Sequence, residues 1–203
     1  SSSTIFFSSE PNGDDAVIFR RNGTTDNVIF EYYNNTSARG KATTDSTPWT
    51  DNVWVHYGIT FSDTRMLRIY KNGQAIQFDV NTDTGGSTAS NVTSHQFNTA
   101  ISNASRREFR MFGGDLKTDS NDGLTGEVFN IGFFDEALDE PEIAAIYNLP
   151  DIDFSSDSGD FQSSANLVFS CKFDQVAADG SSIALTNRGL TNRFFVSGSS
   201  KPS

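Results

Sequence analysis

The chain has 203 residues, a formal net charge of −11, one cysteine and 18 phenylalanines, with aromatic residues making up 12% of it. Hydrophobic residues reach only 35%, but disordered chains are poor in aromatics, so the composition predicts one folded domain with a Phe-rich core and a polar surface. The acidic balance argues against nucleic acid and anionic membranes as partners, no apolar run approaches the roughly 20 residues of a membrane span, and the single Cys171 excludes an internal disulfide and any zinc site of clustered thiolates.

The chain opens Ser-Ser-Ser-Thr, which is read as a removed leader or as a piece of a longer polypeptide. Short β-prone runs then alternate with Ser/Thr/Asn/Gly/Asp clusters, the pattern of an all-β sandwich. Ala16–Arg21 and Val28–Asn34 read as strands around the turn Asn22–Asp26. The run Val53–Phe61 reads as one long strand, with Val53, Val55, Tyr57, Ile59 and Phe61 on one face and Trp54, His56, Gly58 and Thr60 on the other. Leu67–Tyr70 and Gln74–Val80 flank Asn72-Gly73. Asn-Gly between alternating strands predicts a hairpin, because a type I′ turn needs positive φ at both central residues.

The stretch 79–107 is polar and reads as a long loop, in which His95 is expected to be solvated. Glu108–Phe112 and Gly126–Phe134 read as further strands, the second apolar on both faces and so expected in the middle of a sandwich. One helix is predicted, Glu140–Tyr147. Asp139 and Glu142 form a capping box, Pro141 sits in the first turn, and Ile143, Ile146 and Tyr147 form the inward stripe. Residues 151–165 read as a linker, and strand-like sequence resumes at Leu167–Phe173 and near Arg193–Val196.

Two stretches carry a resemblance. Trp54-Val55-His56-Tyr57-Gly58-Ile59-Thr60-Phe61, followed by Leu67–Gly73, resembles the centre of a concanavalin A-like, laminin-G-like jelly roll. Gly126–Phe134, followed by Ala137–Asn148, resembles that family's last strand and terminal short helix. The resemblance implies an all-β fold: a two-sheet antiparallel jelly-roll sandwich with one short helix towards its C-terminal side. It also implies a displaced opening strand, because Asn166–Asp174 is similar to the family's first strand. The expected organisation is a sandwich over 1–150, a linker over 151–165, and a segment 166–203 that completes the same sandwich or a neighbour's, as in a circular permutant or a register cut from a tandem array.

The fold serves lectins, glycosidases and structural proteins, so function must be read from sites. Glycoside hydrolysis needs two carboxylates flanking the bond. None of Glu10, Glu31, Glu108, Glu127, Glu136, Glu140 and Glu142 falls in the Glu-x-Asp-x-x-Glu spacing of the glucanase branch, so no catalytic residues are assigned. His56 and His95 stand without a nucleophile elbow, and His56 is expected to be structural. The oxygen-rich loop Asp115–Gly123 offers calcium ligands at Asp115, Asp119 and Asp122, with an ordinary acidic turn as the other reading. Trp49, Tyr32 and Tyr33 are the aromatics placed to stack on sugar, with capping of the sandwich edge the other role for Trp49. Sequons occur at Asn22, Asn34, Asn35, Asn91 and Asn103 and matter only on a eukaryotic secretory route.

The expected function is a non-catalytic structural or adhesion module of an extracellular assembly, a virion surface, a fibre or a cell-surface filament, with other copies or neighbouring subunits as partners. The alternative is a calcium-dependent, glycan-binding lectin module.

Overall fold

The computed structural model describes residues 4–9, 17–34, 38–45, 49–79, 86–87, 92–98, 109–111, 127–172 and 186–187. They fall into two compact units, 1–126 and 127–203.

The described residues of the first unit form ten strands: β1 Thr4–Ser9, β2 Val17–Arg21, β3 Val28–Asn34, β4 Ala38–Thr43, β5 Tyr57–Phe61, β6 Met66–Lys71, β7 Gln74–Ala75, β8 Gly86–Ser87, β9 His95–Phe97 and β10 Phe109–Met111. One sheet runs β10-β1-β2-β3-β4, and the other runs β5-β6-β9-β8 with β7 paired to β6. Every pairing is antiparallel. The sheets enclose one core: Phe19, Val28, Phe30, Tyr32 and Ala42 from the first, Leu67, Ile69 and Phe97 from the second, and Ile76 and Phe78 from the chain after β7. The period of two explains β3, where Val28, Phe30 and Tyr32 enter this core and Ile29, Glu31 and Tyr33 point the other way. In β1 a register irregularity between Ile5 and Phe7 lets the adjacent Phe6 and Phe7 both pack on the core. The chain after β4 joins that after β7 at the Thr44–Phe78 bridge, where Asp45 N donates to Gln77 O at 2.8 Å and Asp79 N to Thr43 O at 2.7 Å.

The Asn72-Gly73 turn has φ of 52° and 79°, both positive as a type I′ hairpin requires. Two expectations fail nearby. The strand expected over 53–61 begins at Tyr57. Tyr57 pairs with Lys71, the last residue of β6 before the turn, so residues 53–56 run past the end of their partner. The loop expected over 79–107 contains β8 and β9, and His95 is 0% exposed rather than solvated. It sits opposite Leu67 in the ladder, with ring contacts to Phe97 at 4.4 Å and Phe78 at 6.1 Å.

The second unit holds β11 Asn130–Phe134, the helix α1 Glu140–Asn148, β12 Leu167–Lys172 and β13 Thr186–Asn187, with a sheet order β11-β12-β13. The strand expected in the middle of a sandwich is shorter than Gly126–Phe134, its five residues are half-buried, and among the described residues it pairs only with β12. The capping box is present: Asp139 Oδ1 accepts from Glu142 N at 2.9 Å, and Glu142 Oε2 accepts from Asp139 N at 3.1 Å. Ile143 and Ile146 are buried, but Tyr147 is exposed and not part of the inward stripe. Glu142 is buried instead, and its Oε1 accepts from Gln162 N at 3.0 Å and Ser163 Oγ at 2.6 Å.

Those donors belong to the stretch read as a linker, and that reading is corrected. Ile152, Phe154, Phe161 and Ser163 are buried. Phe154 and Phe161 meet Phe134 edge-on at 5.7 and 5.8 Å. A tight turn closed by reciprocal Ser158–Phe161 backbone bonds, with Gly159 at φ 58°, aims Phe161 inward. The Ser, Gly and Asp residues that suggested a linker shape this turn. Cys171 is buried, as expected of a small hydrophobe. Asp139→Ala removes the cap acceptor and is expected to cost about 1 kcal/mol, read as a lower denaturant midpoint for the second unit.

Candidate functional site

Among the described residues of the first unit, the large exposed apolar side chains stand on a braced loop, residues 49–56. Its entry is held by Trp49. The ring stacks on Tyr57 with a 9° interplanar angle and centroids 6.3 Å apart, meets Phe6 at 5.6 Å, and lies under the Arg21 guanidinium at 4.8 Å. Trp49 Nε1 donates to Asp51 Oδ1 at 2.5 Å, and Arg21 Nη1 lies 3.8 Å from the same carboxylate oxygen. Arg21 is also paired with Asp26, its Nε donating at 2.8 Å. Lys71 Nζ donates to Thr50 Oγ1 at 3.3 Å. Asn52 takes the left-handed region at φ 61° and turns the chain. The exit is held at the hairpin turn, where His56 N donates to Asn72 Oδ1 at 3.0 Å and Asn72 N donates to His56 O at 2.9 Å.

Between these braces stand Val53 at 57% and Trp54 at 65% exposure. Among the described residues the β5–β6 ladder ends at Tyr57, and both side chains are exposed. Sequence reasoning placed Trp54 on a strand face and missed it. The register of β5 on β6 decides it: with Tyr57 opposite Lys71, the residues before Tyr57 lie beyond the end of β6.

Of the aromatics read as sugar-stacking, Tyr32 is corrected. It is 2% exposed, in edge-to-face contact with Phe97 at 4.9 Å, and cannot meet a ligand. Its neighbour Tyr33 is half-buried against Ile18. Trp49 is half-buried and braces the loop that carries Trp54. These residues do not form one aromatic platform. Asp115, Asp119 and Asp122 lie outside the described residues.

Burial lowers the pKa of His56 below 6.5, and burial raises that of Tyr57 to about 12 against the opposing pull of Arg21. The unfolded chain takes up the histidine proton near 6.5 while the folded chain still resists it. The stability tied to His56 is therefore present above about pH 6.5 and lost as pH falls towards the lowered value. For Tyr57 it is present below about pH 10 and lost as pH rises towards 12. Denaturant melts at pH 5, 8 and 11 are expected to peak at pH 8, and Tyr57→Phe to flatten the alkaline fall.

These features define a class: an antiparallel β-sandwich that displays a braced aromatic loop. Residues 1–144 match the family model described as the concanavalin A-like lectin/glucanases superfamily, of the laminin-G type, and the chain belongs to that family. No curated protein and no solved structure matches the chain. Domains of this kind are in general carbohydrate-binding or adhesion modules. Among the described residues no helix is long and apolar enough to cross a membrane.

Proposed function

We propose that the chain is a non-catalytic adhesion module of an extracellular assembly, and that it makes its contact through the braced Val53–Trp54 projection. The observation that supports this reading is the exposure of two adjacent apolar side chains on a loop tied at both ends. Exposed apolar side chains on a rigid support are the form a binding anchor takes, because little conformational freedom is lost on contact. Trp is also the residue most enriched among interface anchors.

The proposal includes the segment 166–203. β11 lies inside the family-matched stretch and takes its partner strand, β12, from outside it. This supports β12 as the strand that completes the module's own sheet.

A surface coated with the chain is expected to retain its partner layer, whether glycan or further subunits, and Trp54→Ala to weaken retention about tenfold or more, equal to the ~1.4 kcal/mol or more of a single anchor. Because Trp54 is exposed, the melting temperature of that variant should match the parent. Unchanged retention would refute the reading, as would reducing sugar released from polysaccharide. Retention on a glycan array that disappears with EDTA would replace it with the calcium-dependent lectin reading.

A further inference from the structure

We infer that Asn22 is a self-modifying site: the native β2–β3 turn holds the Asn22 carboxamide ready for attack by the main-chain nitrogen of Gly23, and Asn22 converts to isoaspartate and aspartate faster than Asn72 does. The site is independent of the adhesion reading above. Asn-Gly dipeptides occur at Asn12, Asn22 and Asn72, and Asn12-Gly13 lies outside the described residues. In an Asn-Gly pair the next main-chain nitrogen can reach the side-chain carbonyl carbon, because glycine has no side chain to hinder the approach.

The two described pairs are held in opposite ways. Asn22 folds forward: its Oδ1 accepts from Thr24 N, two residues on, at 3.0 Å. This Asx turn lays the carboxamide along the peptide that joins Asn22 to Gly23. Asn72 reaches away instead. Its Oδ1 accepts from His56 N at 3.0 Å, and its own N donates to His56 O at 2.9 Å. It also stands in the left-handed region at φ 52°, whereas neither Asn22 nor Gly23 has a positive φ. For Asn72 to react, its carboxamide must leave His56 and the hairpin turn must open locally.

In the reaction Gly23 N gives up its proton and bonds to Asn22 Cγ. Negative charge gathers on Oδ1, where Thr24 N already donates at the distance that stabilises an oxyanion. The Cγ–Nδ2 bond then breaks, and Nδ2 leaves as ammonia with the released proton. Water opens the five-membered imide at Cγ to leave aspartate, or at the main-chain carbonyl to leave isoaspartate. The sum is one carboxamide and one water turned into one carboxylic acid and ammonia. Thr24 and Thr25 are exposed, so water reaches the turn. Isoaspartate adds a methylene to the main chain where Asn22 N donates to Asn27 O at 2.8 Å and Asp26 N to Asn22 O at 2.9 Å. Conversion therefore reshapes the turn that presents Asp26 to Arg21.

The test uses the full chain made in bacteria, where the Asn22 sequon carries no glycan. It is incubated in mildly alkaline buffer, folded or unfolded in guanidinium chloride. Peptide mass spectrometry reads the exchange of NH2 for OH at each asparagine, and an isoaspartate methyltransferase counts the isomer. In the folded chain Asn22 is expected to convert about tenfold or more faster than Asn72, equal to ~1.4 kcal/mol of barrier. In the unfolded chain the two rates should converge. Gly23→Ala, compatible with the backbone because Gly23 has no positive φ, should suppress conversion at Asn22 and leave Asn72 unchanged. Folded-state conversion of Asn72 as fast as that of Asn22 overturns the inference. So does a folded Asn22 that stays intact while the unfolded chain converts, or a Gly23→Ala chain that converts at the parent's rate.

Discussion

Ending the chain after Pro150 is expected to leave the second unit unfolded. The truncation removes Ile152, Phe154, Phe161 and Leu167, all buried. It also removes the strand paired with β11 and the Gln162 and Ser163 donors that satisfy the buried Glu142. Four such side chains represent roughly 6–12 kcal/mol of burial at about 1.5–3 kcal/mol each. That is the scale of a whole domain's stability, about 5–15 kcal/mol. Glu142 would add a penalty, since a buried carboxylate that loses hydrogen-bond donors costs more than those bonds contributed. Hydrogen exchange reads the outcome directly. Amides of Ile143–Tyr147 should be protected in the full chain and exchange at near-random-coil rates in residues 1–150. A truncated chain as heat-stable as the parent, with α1 still protected, would show that the helix and β11 need nothing beyond Pro150.

Gly40→Ala should strongly destabilise the first unit. Gly40 pairs with Tyr32 across β3 and β4, and the tyrosine ring lies over the glycine so closely that an added Cβ would overlap its ring carbons. Tyr32 cannot retreat, because it is in the core and held edge-to-face by Phe97. Overpacking of this kind ordinarily costs about 1–3 kcal/mol, and a ring with no free volume behind it places the change at the upper end or beyond. The coupling is the sharper measurement. Tyr32→Ala alone should cost about 3–5 kcal/mol through the cavity it leaves, and the double variant should cost clearly less than the sum of the two. Additive losses would mean that the ring does not lie over the glycine.

Local chemistry explains what was legible beforehand. Asn72-Gly73 announces its turn because few dipeptides reach positive φ twice, and Asp139 with Glu142 announces a helix start because the first amides lack internal partners. Both signals are complete within a few residues. Errors arose where the deciding partner is distant in sequence. Val53–Phe61 alternates along its whole length, but β6 ends at the turn and leaves half of the run unpaired. His95-Gln96-Phe97 is too short to show a period, and it is a strand through its pairing with Met66 and Leu67 on one side and Gly86 and Ser87 on the other. Phe154 and Phe161 stand amid Ser, Asp and Gly that look like linker, while both pack on Phe134, far earlier in the sequence. The site followed the same rule. Tyr32 and Tyr33 are adjacent in sequence, yet the strand sends the first into the core and the second to the opposite face. Trp54 was visible as a residue but not as a surface.

The overrun of residues 53–56 past the end of β6 also bears on how this protein can change. The braces at Trp49, Thr50, Asp51 and His56 are made by side chains and backbone on either side of the tip. Val53 and Trp54 contribute no ladder bond, and they are absent from the core. Substitutions at those two positions are thus nearly free of folding consequences, while each alters the first surface that a partner meets. Preference for a partner can drift there at constant stability, and a foreign recognition sequence grafted between Asn52 and Val55 would inherit a support that is already rigid.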